Sequence, residues 1–426
     1  MAQNGPEVAG AALVRVGFGP GAAGAGLRAT LDGVAAGTGL VLVLGASSPA
    51  DLIPPPDFAP LLARIAGWPA PVVAVLAGPL AGTGAALALA ARGRVALAVA
   101  ALAWPEAGVG LLPPGASLPA LVRLAGAATA LELGLGGRRV GAAEAAALGL
   151  VDAVAGSEAA ALARAEGLAR AAPPAPRPPP RPQDIPAAFA ALRRARAGLA
   201  TGAGAPLAPA LLADCIEAAL LLPAAQADAF AAEAGAGARA DPAGQALRHL
   251  ARAEQALSPG LTRRDDSGAL TLSPGGMEAA GALRAAWVIA ARALLREGRT
   301  AGEIDAAARA WGHAEGPLGS APPPCADAGI AQRLLAALWA EAGRLVEAGR
   351  LAGPAQADAL AVMATGFPRW RGGPVFAAVA AGQMVLARQM ESWAQADPVW
   401  NLPGTVRAAV LAAGRWGDGP GGSRSI

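Results

Sequence analysis

The stretch Ala70–Leu89, APVVAVLAGPLAGTGAALAL, decides the fold of the front of this 426-residue chain. A β-branched and apolar run, Val72–Leu76, is closed by Ala-Gly-Pro. Gly82 and Gly84 then lead into an Ala/Leu-rich stretch with helical character. A strand, a Gly-bearing turn and a helix in this order make the unit of a parallel α/β layer. Working outward, Leu13–Val16, Leu40–Leu44 and Val95–Val99 are similar short runs bounded by Gly and Pro clusters and separated by Ala-rich segments. An α/β domain with a parallel sheet is therefore expected from the start of the chain to about Gly156, within a domain of residues 1–171.

Composition sets the class. Hydrophobic residues make up 54% and charged residues 15%, which is a folding chain and not a disordered one. Lys and Tyr are absent, while Gly (57), Pro (38), Ala and Arg abound, a skew that a G- and C-rich codon bias produces. The net charge is +3 with Arg and acids interspersed, so no nucleic-acid footprint is present. Cys215 and Cys325 lie far apart and read as buried thiols of a reducing, cytoplasmic setting. Met1–Gly10 has neither the basic nor the apolar part of a signal peptide. The apolar run Leu87–Ala103 is broken by Arg92 and Arg94, so no stable membrane insertion is expected. No metal site is expected.

Beyond the α/β part, residues 172–182 (PPAPRPPPRP within them) read as a stiff polyproline linker. Residues 183–257 read as a helical extension, with helices at Pro186–Leu199 and Pro206–Leu222. Residues 258–276 are polar and Gly/Pro-bearing, a second boundary, and residues 277–426 read as almost wholly helical. A weak internal repeat relates Ala291–Asp305 (ARALLREGRTAGEID) to Glu341–Asp358 (EAGRLVEAGRLAGPAQAD). Each is a helix ended by a glycine, Gly298 or Gly349, followed by a second helix. The first copy leads to Gly312–Pro317 (GHAEGP), the second to Gly366–Pro374 (GFPRWRGGP).

Three segments in order, Ala70–Leu89, Trp104–Pro114 (WPEAGVGLLPP) and Gly136–Asp152 (GGRRVGAAEAAALGLVD), resemble the core of the enoyl-CoA hydratase/isomerase family, the crotonases. Val41–Leu52 (VLVLGASSPADL) resembles that family's strand and a shortened oxyanion loop. The resemblance implies an α/β crotonase-like ββα spiral. It also implies an acyl-CoA thioester as partner and chemistry in which two backbone N–H groups polarise the thioester carbonyl while carboxylates move protons. By position the N–H donors are Ala50 and Thr83, with Gly82 and Gly84 beside them as substrate-binding backbone. The family has Gly where Thr83 stands, since backbone there approaches the ligand at a helix start. The two family glutamates fall on Ala86 and Glu106, so one carboxylate survives. A hydratase needs the pair, whereas the isomerase branch works with one, at the place of Glu106. The competing reading of Glu106 is a surface or turn acid after Pro105.

The region Pro206–Glu254 resembles the helical extension that follows the crotonase part in multifunctional fatty-acid β-oxidation enzymes. The tail resembles the all-α C-terminal domain of 3-hydroxyacyl-CoA dehydrogenases, most clearly at GFPRWRGGP. A Rossmann domain should separate the two, and only residues 258–276 are available, with no Gly-rich phosphate turn or ribose acid. NAD and hydride transfer are therefore not expected, and coenzyme A enters as part of the substrate. Gly19–Gly24 (GPGAAG) matches GxGxxG after a strand-like run, but Pro20 removes an N–H and no acid follows the second strand before Asp51. His249 reads as a helix-surface residue and His313 as a structural turn residue. Three functions stay open at this stage: a one-carboxylate CoA-thioester isomerase, a non-catalytic protein binding acyl-CoA or a β-oxidation partner enzyme, and an inactive homologue. A homo-oligomer is compatible with all three.

Overall fold

A computed structural model of the chain describes residues 3–4, 11–17, 22–35, 37–48, 52–55, 58–170, 185–199, 204–265, 270–320 and 327–419. It divides into two compact units, one of residues 1–201 with 206–241 and one of residues 202–205 with 242–426.

The front unit is built on strands β1 (Gln3–Asn4), β2 (Ala11–Val16), β3 (Gly39–Leu44), β4 (Val72–Leu76), β5 (Pro79–Leu80), β6 (Gly93–Leu97), β7 (Ala101–Leu102), β8 (Val140–Gly141) and β9 (Ala153–Ala155). The main sheet has the order β1-β2-β3-β4-β6-β9 and is parallel except for β1. A second sheet, β5-β7-β8, branches from the strand ends. Strand-strand-helix units thus recur, as the crotonase-like α/β reading requires. The strands are apolar on both faces because both are covered. Leu40, Leu42, Leu44, Val72, Ala74 and Leu76 face the main core, while Val41, Val43, Val73, Val75 and Val95 pack on Ala161, Ala165 and Ala169.

The helices of this unit are α1 (Ala22–Asp32), α2 (Phe58–Ala66), α3 (Thr83–Ala90), α4 (Ser117–Ala125), α5 (Ala127–Gly136), α6 (Ala142–Ala147), α7 (Glu158–Arg170), α8 (Ile185–Ala197), α9 (Ala208–Leu221) and α10 (Ala224–Ala240). The strand expected at Val95–Val99 ends at Leu97: the chain turns there, Ala100 N–H bonding Leu97 O, and Val99 is exposed. The division between units falls inside the stretch read as one extension over 183–257. Leu212, Cys215 and Ile216 of α9 enter the front core, and a Cβ on Gly134 of α5 would come within 2.8 Å of Leu212. Burial pushes the Cys215 thiol up to about 12, the inert buried thiol anticipated. Cys325, the linker 172–182 and the Gly19–Gly21 turn of GPGAAG lie outside the described residues.

Among its described residues the rear unit is helical apart from one hairpin. It comprises α11 (Pro242–Gln255), β10 (Thr262–Arg264), β11 (Leu270–Leu272), α12 (Pro274–Arg296), α13 (Ala301–Trp311), α14 (Ala328–Glu347), α15 (Pro354–Thr365), α16 (Pro374–Ala381), α17 (Gln383–Trp393) and α18 (Gly404–Ala413). The stretch 258–276, read as a linker, is the antiparallel hairpin β10–β11 running into α12. Ser273 caps that helix by accepting from Gly276 N–H, and Leu261 is buried in the rear core.

His249 corrects its surface reading. It is 3% exposed, and its Nε2 lies 2.8 Å from Asp358 Oδ2, with the ring against Phe376 at 4.8 Å. The reason is the amphipathic face of α11, where Ala243, Ala246, Leu247, His249, Leu250 and Ala253 are buried together. His313 is structural as expected. It stacks on Trp287 at 4.8 Å, and desolvation lowers its pKa to about 4, against a hydrogen bond to Thr365 O.

Candidate active site

The short pairing of β5 with β7 makes the site. Register Pro79↔Ala101 and Leu80↔Leu102, continued by Ala103 N–H to Leu80 O, lays the Ala81–Gly82 turn beside the Ala103–Glu106 segment. Gly82 carries φ +56 at the start of α3, a conformation that side-chain-bearing residues rarely adopt. On the other segment Pro105 precedes a 3-10 turn, Glu106–Val109, ended by Gly110 in the left-handed region. Gly137, beyond α5, comes within 3.1 Å of Pro105 Cα if given a Cβ, so the helix end seats the turn.

Glu106 Oε1 then accepts from Gly82 N–H at 3.1 Å. The side chain is fully buried, which removes the surface-acid alternative. Desolvation raises its pKa to about 7, against the hydrogen bonds from its own and the Gly82 backbone. Oε2 has no partner among the described residues. Thr83 Oγ1 and Trp104 Nε1 are likewise buried and unpartnered. Three such atoms thus lie on the two segments that the β5–β7 pairing brings side by side.

The backbone donors sort themselves. Gly82 N–H is engaged by Glu106 and Gly84 N–H by Ala81 O. Thr83 N–H finds no backbone acceptor among the described residues, leaving it as the donor at the helix start. Ala50 lies outside the described residues. The loop that leads to it is tied to the site, with Ser47 N–H on Pro79 O at 2.8 Å and Ser47 Oγ donating to Ala81 O at 3.1 Å. A Cβ on Gly78 would come within 3.1 Å of Ala46, so these two loops are in close contact.

Ala86 follows Gly82 by one helical turn, its N–H on Gly82 O at 3.0 Å. No carboxylate stands there. Its methyl instead lines a cavity of about 340 Å³ formed by α2, α3 and α4, with Ser117, Arg123 and, from α10, Asp228 among its otherwise apolar lining. Sequence reading passed over Asp228. Its Oδ1 is buried and unpartnered, and desolvation raises its pKa, partly offset by Arg123. The signal was present: α10 buries Ala227, Ala231, Ala234 and Ala238, and Asp228 sits on the edge of that stripe. Among the described residues no group of three or more His, Cys, Asp or Glu could hold a metal ion, and no helix is long and apolar enough to cross a membrane.

Residues 32–177 match the family model described as enoyl-CoA hydratase/isomerase. Similar solved structures include DspI of Pseudomonas aeruginosa, 25% identical over 40% of this chain and 76% of that one, TM-score 0.34. A putative enoyl-CoA hydratase from Streptomyces avermitilis is 20% identical over 59% and 90%, TM-score 0.39. An enoyl-CoA hydratase from Thermoplasma volcanium is 19% identical over 60% and 97%, TM-score 0.36. With the family match spanning β3 to β9, the α3 turn and Glu106, residues 32–177 carry an enoyl-CoA hydratase/isomerase-family domain.

Proposed function

We propose that the front unit is a one-carboxylate enoyl-CoA isomerase. In this reading the Glu106 carboxylate removes a proton from C2 of a 3-enoyl-CoA. The electron pair passes into the thioester, forming a dienolate whose oxygen is held by the Thr83 and Ala50 N–H groups. Glu106 returns the proton at C4, leaving a 2-enoyl-CoA. Proton and electrons balance within the substrate, and no second reactant enters. The acyl tail would occupy the cavity beside Ala86.

The observation that carries the reading is the state of Glu106 together with the methyl at Ala86. A buried carboxyl at about pKa 7 is matched to giving and taking protons near neutrality. Gly82 N–H fixes one oxygen and leaves the other unengaged among the described residues. The Ala86 position lacks the second acid with which hydration would hold water. The burial of Glu106, which lines none of the described cavities, favours a second reading, a homologue that binds acyl-CoA or a partner enzyme without turnover.

For the rear unit we infer kinship with the C-terminal helical domain of 3-hydroxyacyl-CoA dehydrogenases, and so a β-oxidation setting in the cytoplasm. The GFPRWRGGP turn and the helical repeat support this. Hydride transfer is no part of the proposal, since the hairpin at 258–276 is far too short for a dinucleotide-binding domain. The test is turnover of a 3-enoyl-CoA, following both the 2-enoyl and the hydroxyacyl product. Isomer without hydroxyacyl product is the expected result. Hydrated product would mean that another acid serves in place of Ala86. Binding without turnover would establish the non-catalytic reading.

A further inference from the structure

The rear unit contains a second cavity, of about 380 Å³, which the acyl-CoA reading does not use. Three aromatic side chains stand among its mostly alanine lining: Trp311 at the end of α13, Trp370 in the GFPRWRGGP turn and Phe376 on α16. Trp370 can lie where it does because Gly312 has no side chain; a Cβ there would come within 3.0 Å of the ring. Gln332 of α14 and Arg371 supply the polar groups, and alanines of α16, including the exposed Ala380 at the rim, leave the space open.

Arg371 gives the cavity its chemistry. Its Nε donates to Trp311 O at 2.7 Å, and its guanidinium carbon lies 4.2 Å from the centre of the Trp311 ring. These contacts hold the group in place without neutralising it. Arg369, two residues earlier, is paired with Glu254 through both terminal nitrogens at 2.6 and 3.0 Å. Arg333 and Arg344 are likewise paired, with Glu297 and Glu341. Among the described residues no carboxylate pairs with Arg371, although desolvation already bears on it. A fixed, partly desolvated cation with no counter-charge is costly unless an anion comes to it. Aromatic side chains beside one cation, in a hollow within the usual ~300–1,000 Å³ of ligand pockets, suit a small molecule. A larger hollow beside Glu254 lacks this character, its carboxylate being already bound to Arg369.

We infer that this cavity binds a planar apolar molecule bearing a single anionic group, a carboxylate or a phosphate, with the anion on Arg371 and the ring against Trp370. The site lies in the rear unit and stands independently of Glu106 chemistry. The experiment is calorimetric titration of the full chain with 1-naphthoate, 1-naphthyl phosphate and the neutral 1-naphthamide. The anions are expected to saturate with Kd below about 1 mM, an ordinary efficiency for ligands of this size. The tighter of the two identifies the anion. Arg371→Gln should weaken both anions roughly tenfold or more while leaving the amide within about twofold. Ala380→Trp, at an exposed position on the rim, should block all three even if Arg371→Gln disturbs folding. Absence of saturation, equal binding of amide and anions, or anion binding unchanged in Ala380→Trp would overturn the assignment.

Discussion

Glu106 is the residue on which the front unit turns. Its pKa is raised from 4.5 to about 7, so between those values the folded state holds a proton that the unfolded state releases. Stability therefore falls as pH rises through this window, by about 3 kcal/mol in all. Glu106→Gln keeps an acceptor for Gly82 N–H and abolishes the titration. Denaturant melts should show the variant gaining on the native chain from pH 4 to pH 8, and a stability difference independent of pH would contradict the burial described. Glu106 was legible in the sequence through the Trp-Pro-Glu segment and its spacing from the Gly82 turn. Its burial and its bond to Gly82 were not, because both depend on the β5–β7 pairing of two-residue strands that no periodicity announces. His249 was misread for a similar reason: its partner Asp358 is 109 residues away, and a histidine beside an arginine on a helix gives no local sign of it.

At the scale of elements, the internal repeat has a physical core. Asp305 and Asp358 occupy matching places in the second helix of each copy, and both are buried. Asp305 accepts from Leu318 N–H at 3.0 Å and also from Ser320 N–H, while Asp358 accepts from Val375 N–H at 2.7 Å and from Phe376 N–H. Each carboxylate is met by a glycine two residues before its first donor, Gly316 or Gly373, where a Cβ would come within 2.2 or 2.3 Å of the aspartate. The motif is thus an acid on one helix, a Gly-Pro turn folded over it, and backbone N–H groups turned back onto the oxygens. Aligning the two glycine-ended helices from sequence located this motif without showing that its aspartates were the pivots. Asp358→Ala removes the N–H acceptor and leaves His249 without its partner, and should cost about 3–5 kcal/mol. Asp358→Asn, which keeps an acceptor, should cost less. Equal losses in chemical denaturation would show that the carboxylate's charge, and not its place as acceptor, is what matters.

At the scale of the whole molecule, the strands β3 and β4 were readable because a parallel sheet covered on both faces needs unbroken apolar runs, which Leu40–Leu44 and Val72–Leu76 supply. The border between units was less legible. Ala-rich helices α9, α10 and α11 look alike in composition, and only packing assigns Leu212 and Ile216 to the front core and Leu250 and Ala253 to the rear unit. Truncation distinguishes them. A fragment of residues 1–241 should melt cooperatively, whereas residues 1–170 lose the α9 side chains that fill the space over Gly134 and should melt at markedly lower temperature or without a cooperative transition. Calorimetric melts of the two fragments check this, and equal melting temperatures would remove α8–α10 from the front core.

In the proposed reaction Glu106 moves a proton at the carbon next to the thioester. The most direct test of this step is deuterium uptake at C2 of a 3-enoyl-CoA in D2O, followed by mass spectrometry of recovered substrate and product. Uptake is expected with the native chain, with a fall of at least roughly 10²-fold in Glu106→Gln with the fold retained. Uptake that persists in the variant, or none in the native chain under conditions where the thioester binds, would contradict this step.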